Sequence, residues 1–180
     1  MLITREYRQN RLRTARRVSI AAEAFSRLGD FHEANDVFRI AYEMDPRDIR
    51  NLFWWADLFR EKYNSADAQR TFEEALTVNP NSAELYVGYA RSFESLTRWE
   101  VLAEQALTIN PRSIDAMNIQ AEIAILDSDY SRAEEILRAA LDINPVYERS
   151  LANLATVHHL RGDTEAFTQL ELVALQTNPQ

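Results

Sequence analysis

Cysteine is absent from the 180-residue chain, which excludes disulfides, thiol nucleophiles and cysteine-ligated zinc. Glycine and proline are scarce, with three and five residues, and no apolar run approaches the roughly 20 residues of a membrane-spanning helix. The first 17 residues have no apolar core and so do not resemble a secretory signal. With 46% hydrophobic and 27% charged residues, the composition predicts a folded cytoplasmic protein or an excised soluble domain.

Lysine is also nearly absent, because all but one of the 20 basic residues are arginine. Six arginines fall within residues 1–17 against one acidic residue, which gives this segment a net charge of +5. The whole chain carries −8, so the remainder carries −13, and nucleic acid is not the expected partner of such an acidic body. We predict that residues 1–14 form an Arg-rich helical extension. The alternatives are that this segment binds another copy of the chain or an anionic surface.

Proline, although rare, recurs with a regular spacing. Pro46, Pro80, Pro111, Pro145 and Pro179 are separated by 34, 31, 34 and 34 residues. Four of these prolines end a similar sequence motif, such as ALTVNP, ALTINP and ALDINP. Proline stops a helix because it lacks an N–H, and a period of this size indicates a stacked array of supersecondary units.

Between successive prolines, apolar residues follow helical spacing twice. In the second unit they do so over residues 52–59 and again over 68–76, with turn residues between the two segments. Alanines recur at matching places and would let the two helices approach closely. Strand-like alternation is nowhere sustained, so we predict an all-α fold built from antiparallel helix pairs.

The unit resembles the tetratricopeptide repeat in its period, the small residue of its first helix, its Gly-Asp turn and its terminal Ala-Leu-x-x-Asn-Pro. Five copies are in register, at 15–48, 49–82, 83–113, 114–147 and 148–180. The resemblance implies a right-handed superhelical solenoid whose first helices line a concave groove. It also implies a scaffold that binds a protein or peptide in that groove. A second interpretation is the non-catalytic repeat region of a larger enzyme, such as a peptidase.

Two units depart from the pattern. The third is three residues short, and we predict that its second helix loses about one turn, with Thr97 as N-cap and Glu100 completing a capping box. The fifth has no aromatic residue after the Asp of its turn, which predicts a turn one residue tighter.

No catalytic, metal or cofactor site is predicted. The segment HEAND, from His32 to Asp36, lacks the second histidine of a zinc-protease motif. His158 matches aromatic core positions of other units and is interpreted as a core residue, whereas the adjacent His159 is expected to face the groove.

Residues 51–59 contain more apolar side chains than one helical stripe needs. Phe53 and Trp54 are the surplus aromatics, interpreted either as packing residues or as anchors for a partner. With the groove positions that the resemblance implies, the partner-binding candidates are Phe53, Trp54, Asp57, Arg60, Arg91, Asn118, Glu122, Thr156 and His159. The Lys/Asn/Arg clamp of chaperone-tail receptors is absent, because its places hold Ser19, Glu23, Trp54, Glu84 and Gly88.

The last helix of the array is too apolar for a single inward stripe. Its candidates for self-association are Phe167, Leu170, Leu172 and Val173. A terminal repeat that exposes its apolar side loses stability. We therefore expect this end to be covered by further chain or by another copy in a homodimer, with the N-terminal segment as a second candidate surface.

Overall fold

The computed structural model describes residues 14–62 and 64–177, apart from the side chains of residues 171 and 174–177. Ten helices and no strand occur in these residues, which confirms the all-α fold class. The first helices of the pairs are α1 (Ala15–Arg27), α3 (Ile49–Glu61), α5 (Ala83–Ala90), α7 (Ile114–Leu126) and α9 (Glu148–Leu160). The second helices are α2 (Phe31–Met44), α4 (Ser65–Val78), α6 (Leu96–Ile109), α8 (Tyr130–Ile143) and α10 (Thr164–Thr177).

Short polar side chains start most of these helices. Thr14, Asp30, Asp48, Asn64, Ser82, Ser113 and Asp129 each accept a hydrogen bond from a backbone N–H of the first turn. Thr14 itself is extended, so α1 does not continue through it, and the rest of the predicted N-terminal extension lies outside the described residues. At the other end, α2, α4, α6 and α8 each stop at an extended Asp or Asn directly before a proline.

Alanine brings the two helices of a pair together. Ala22, Ala56 and Ala121 on first helices, and Ala34 and Ala133 on second helices, are completely buried. A methyl group at the contact keeps the helix axes close, because the interaxial distance follows the size of the side chains between them. Larger apolar side chains fill the space around these contacts.

The chain divides into two compact units, Met1–Phe93 and Glu94–Gln180, with the boundary inside the third repeat. The first unit has one core cluster around Phe25, Phe38 and Leu58 and another around Leu52, Phe72 and Leu85. The second unit has a core around Leu137, Leu154 and Val157. Phe38 and Phe72 are the largest fully buried side chains of the first unit.

The predicted shortening of the second helix in the third repeat is wrong. Helix α6 has 14 residues, as do the other second helices, and begins after Ser95 and not after Thr97. The first helix α5 has 8 residues instead of 13, and the turn that follows has five residues instead of three. Two contacts end α5 early: the Ser92 hydroxyl donates to the Tyr89 carbonyl at 2.7 Å, and the Gln69 amide donates to the Ser92 carbonyl at 2.9 Å.

The turns within the first, fourth and fifth pairs each use a left-handed residue. Gly29 and Gly162 have φ values of +80° and +77°, and Ser128 occupies the same place with φ +62°. The fifth turn, residues 161–163, has the same length as the turns of the first, second and fourth pairs, so the prediction of a tighter turn is also wrong. One left-handed residue closes the turn, and the aromatic residue missing after Asp163 does not change its length.

Exchanging the residues at this turn position tests the cost of the left-handed conformation. We expect Ser128→Gly to raise the free energy of unfolding by about 0.5–1 kcal/mol, because glycine adopts positive φ without steric penalty. The matched exchange Gly29→Ser should lower it by about 1 kcal/mol. Urea denaturation monitored by circular dichroism measures both, and a destabilised Ser128→Gly variant would contradict the explanation.

Candidate functional site

The first helices of neighbouring repeats lie side by side in each unit. Helix α1 contacts α3 in the first unit, and α7 contacts α9 in the second. Phe53, Trp54, Asp57 and Arg60 all belong to α3, whereas Asn118, Glu122, Thr156 and His159 belong to α7 and α9. The predicted partner-binding residues therefore fall into two groups, one on each unit.

A buried polar pair joins the two first helices in each unit. In the first unit the Ser19 hydroxyl donates to Asn51 Oδ1 at 2.9 Å, and Asn51 Nδ2 donates to the Phe38 carbonyl at 3.2 Å. In the second unit Asn118 Nδ2 donates to Ser150 Oγ at 2.7 Å. These side chains are fully buried, and a buried polar group that keeps its hydrogen bonds avoids the desolvation penalty.

The prediction that Asn118 lines a partner-binding groove is therefore wrong. Besides its bond to Ser150, its amide donates to the Ile114 carbonyl at 2.9 Å, and its Oδ1 accepts from Asn153 Nδ2 at 3.0 Å. All these partners belong to α7 or α9. Asn118 positions the two helices and is not accessible to a partner.

Two cavities open between first helices of the first unit, and Trp54 lines both. Cavity A, about 350 Å³, lies between α1 and α3 and is lined by Glu23, Ser26, Arg27, Trp54, Asp57, Leu58 and Glu61. Cavity B, about 390 Å³, is lined by Ile49, Arg50, Phe53, Trp54, Asn79, Ser82, Glu84 and Leu85. The half-buried indole of Trp54 thus contributes to the lining of both cavities.

The adjacent aromatics Phe53 and Trp54 have different surroundings. The Phe53 ring packs edge-on against buried Phe72, with 6.0 Å between centroids, and contacts the cluster around Leu52 and Leu85. Trp54 touches the first core cluster from outside, and the Arg50 guanidinium lies 5.6 Å from its ring centroid. Phe53 is a packing residue that forms one wall of cavity B, whereas Trp54 presents a ring to both cavities.

Two carboxylates of this face pair with an arginine on their own helix. Asp57 accepts from Arg60 at 2.6 Å, and Glu23 accepts from Arg27 at 2.9 Å. Glu61, at the rim of cavity A, is exposed. Arg91 follows α5 as its C-cap residue, and its backbone N–H is bonded to the Val87 carbonyl at 3.2 Å.

On the second unit, the candidates contact the chain itself. Glu122 accepts from Asn153 Nδ2 at 3.2 Å, and the exposed Thr156 donates to the Ala152 carbonyl at 3.0 Å. The His159 ring contacts Phe167 on α10, with 5.5 Å between centroids. His158 is 7% exposed, and its Nδ1 lies 3.3 Å from Asp163, as its interpretation as a core residue requires.

Two side chains on second helices have a shifted pKa. The guanidinium of Arg138, which donates to Glu134 at 2.7 Å, lowers the pKa of that carboxyl, and Arg161 adds to the effect. The carboxylate of Glu74, which accepts from the Tyr42 hydroxyl at 2.6 Å, raises the pKa of Tyr42. These contacts stabilise the helices that they join, and none of these residues lines cavity A or cavity B.

The motif from His32 to Asp36 does not gather ligands. His32 is exposed and Asp36 pairs with Arg39 at 2.9 Å. Across the described ranges, no group of three or more His, Asp or Glu residues could hold a metal ion.

The four candidates for self-association on α10 differ in how exposed they are. Phe167 occupies the place of Ala34, Ala68 and Ala133 in other pairs, so its ring turns towards α9 and meets His159. Leu170 packs on the core of the second unit. Leu172 and Val173 are 54% and 39% exposed, so they are the accessible members of the set.

Glu61 and Arg50 are residues of this face that sequence reasoning missed. Arg50 lies four residues before Trp54 and Glu61 seven after it, and both spacings return to the same side of a helix. A search for charged residues at these spacings around a surplus tryptophan would have found them.

Comparisons with known proteins agree with this fold. A sequence profile of the tetratricopeptide repeat matches residues 53–101. A thermophilic tetratricopeptide-repeat protein of Thermus thermophilus superposes with a TM-score of 0.81 at 17% identity, over 93% of each chain. PilF of Pseudomonas aeruginosa gives a TM-score of 0.74 at 16% identity, over 92% of this chain and 77% of that one.

YrrB, described as a tetratricopeptide-repeat protein with an unusual peptide-binding site, gives a TM-score of 0.59 at 15% identity, over 98% of this chain and 92% of that one. Among curated protein sequences, none matches this chain. The profile match identifies tetratricopeptide-repeat sequence at residues 53–101, and the ten described helices and these superpositions show that the described residues have the fold of tetratricopeptide-repeat proteins. None of the described helices is both long enough and apolar enough to cross a membrane.

The different surroundings of Phe53 and Trp54 predict different costs of substitution. Phe53→Ala removes a ring from the core contact with Phe72, so we expect a loss of about 2 kcal/mol in the free energy of unfolding. Trp54→Ala removes a half-buried ring over two cavities and should cost about 1 kcal/mol or less. Equal losses in urea denaturation would show that both rings are core residues.

Proposed function

We propose that this protein is a scaffold that binds a peptide segment of a protein partner on the first-helix face of its first unit. The observation that carries the proposal is the position of Trp54, a half-buried indole shared by cavities A and B. Aromatic side chains that fill or flank pockets contribute most of the binding energy in many protein interfaces. The peptide-binding site named for YrrB, which shares the fold, supports this assignment.

The charges of the face favour a protein partner over nucleic acid. Cavity A is lined by three carboxylates, Glu23, Asp57 and Glu61, against the single guanidinium of Arg27. Phosphates would be repelled by this lining. Since Glu23 and Asp57 are already held by arginines on their own helices, we infer that the face binds its ligand without catalysis.

A peptide selection tests the proposal. A displayed peptide library is selected on the whole protein and counter-selected on the Trp54→Ser variant. We expect peptides that bind the whole protein and lose at least about tenfold in affinity for Trp54→Ser, which corresponds to about 1.4 kcal/mol. Affinities are measured by fluorescence anisotropy.

The matched control is Leu126→Ser, which removes a 61% exposed leucine from α7 in the second unit. Selected peptides should bind this variant as tightly as the unmodified chain, and circular dichroism should show that both variants are folded. Peptides that bind equally well with and without Trp54 would contradict the proposed site.

We also propose that α10 supports self-association. Leu172 stands where the other four second helices carry Arg39, Glu73, Glu104 and Arg138. An exposed leucine at a position otherwise held by charged residues loses the free energy of apolar burial unless another surface covers it. Val173 lies beside it and is also exposed.

Sedimentation equilibrium tests the role of Leu172. We expect a concentration-dependent dimer for the unmodified chain and a monomer for Leu172→Arg, because an arginine at this position restores the charge found in other repeats. The exposed-surface variant Leu126→Ser should dimerise normally. A monomeric unmodified chain at high concentration would contradict self-association.

A further inference from the structure

Cavity A has one more carboxylate than it has arginine partners. Glu23 pairs with Arg27 at 2.9 Å, and Asp57 pairs with Arg60 at 2.6 Å, so these four charges cancel. Glu61, the third carboxylate of the lining, is exposed and has no ion pair among the described residues. One negative charge therefore remains at the cavity, and a single cationic group would complement it.

The two ion pairs leave hydrogen-bond acceptors unused. Arg60 Nε donates to Asp57 Oδ1 at 2.7 Å, and Arg60 Nη2 lies 2.6 Å from the same oxygen. Arg27 Nε donates to Glu23 Oε1 at 2.9 Å. Within the described part of the chain, Asp57 Oδ2 and Glu23 Oε2 accept no hydrogen bond. Carboxylate oxygens on both α1 and α3 can therefore accept from a ligand with several donors.

The indole that lines the same cavity already contacts a guanidinium. Arg50 Cζ lies 5.6 Å from the centroid of the Trp54 ring, within the distance at which an aromatic ring attracts a cation. Arg50 lines cavity B and not cavity A, whereas Trp54 lines both. The contact with Arg50 does not involve the carboxylates of cavity A, and it shows independently which kind of group this indole attracts.

We propose that cavity A binds an arginine side chain of the partner peptide. This assignment rests on the peptide binding proposed above and names the residue that the peptide presents to the cavity. A guanidinium carries the single positive charge that Glu61 lacks as a partner. Its planar fork of five N–H donors matches the unused oxygens of Glu23 and Asp57, and its flat face can stack on Trp54. A lysine supplies the charge without the fork or the flat face, so it binds more weakly.

A defined probe tests this preference without a selected peptide. N-acetyl-arginine amide is titrated into the ¹⁵N-labelled whole chain and followed by NMR. We expect saturable shifts of the Trp54 indole N–H and of the amides in Glu23–Arg27 and Asp57–Glu61. N-acetyl-citrulline amide, which has a similar shape and no charge, should bind at least about tenfold more weakly. The corresponding lysine compound should also bind more weakly than the arginine compound.

Variants of the protein identify the groups that bind the arginine. Glu61→Gln removes the unpaired charge and should weaken arginine binding about two- to fivefold, the range for one exposed ion pair. Trp54→Leu keeps an apolar side chain without the aromatic face and should also weaken it. The matched control Glu43→Gln removes the same charge from an exposed residue of α2 that lines neither cavity, and should leave binding unchanged.

Three results of the titration would overturn the proposal. The first is equal affinity for the arginine and citrulline compounds, which would mean that the charge is not recognised. The second is equal affinity for the lysine compound, which would mean that the guanidinium is not recognised. The third is arginine binding that Glu61→Gln and Glu43→Gln change to the same extent.

The selected peptides separate the arginine assignment from peptide binding itself. Peptides that depend on Trp54 should contain an arginine whose replacement by citrulline lowers the affinity, and lowers it less for the Glu61→Gln variant. Trp54-dependent peptides that tolerate this replacement would overturn the arginine assignment and leave the proposed function in place. If no selected peptide depends on Trp54, the proposed function is wrong, and the titration alone decides whether cavity A binds a guanidinium.

Discussion

The close contact between the two helices of each repeat is the constraint on which the rest of the structure depends. Fully buried alanines such as Ala22, Ala34, Ala56 and Ala68 leave room for only a methyl group between paired helices. The apolar side chains around them can then form the core clusters of each unit. Where Phe167 replaces the alanine, in the fifth pair, the ring packs against His159 and enters the helix contact.

Neighbouring repeats depend on a second contact, the buried Ser–Asn pair between first helices. The pair occurs at matching positions, with serine first in Ser19–Asn51 and asparagine first in Asn118–Ser150, each 32 residues apart. Between the second and third repeats, Phe53 and Leu85 hold the same positions and belong to one apolar cluster. The Phe53 ring therefore takes the place of a polar contact, which explains why it packs inward.

The candidate site results from these two contacts. Helices α1 and α3 are held together near Ser19 and Asn51, and further along the same helices they leave cavity A open beside Trp54. The acidic lining, the indole and the ion pairs to Arg27 and Arg60 are consistent with recognition of a basic or aromatic segment. An ionic contribution to peptide binding at this surface would weaken in high salt.

Local spacing in the sequence was enough to predict the all-α repeats and their proline-terminated helices, because helix periodicity and termination act within a few residues. Local spacing could not choose between Ser95 and Thr97 as the N-cap of α6, since both residue types are suitable caps. The contact between Ser92 and Gln69 in the preceding turn decides where the helix begins. The burial of Asn118 depends on Ser150, 32 residues away. The adjacent rings at 53 and 54 are both half-buried, and tertiary contacts that local spacing does not contain decided which core cluster each ring contacts.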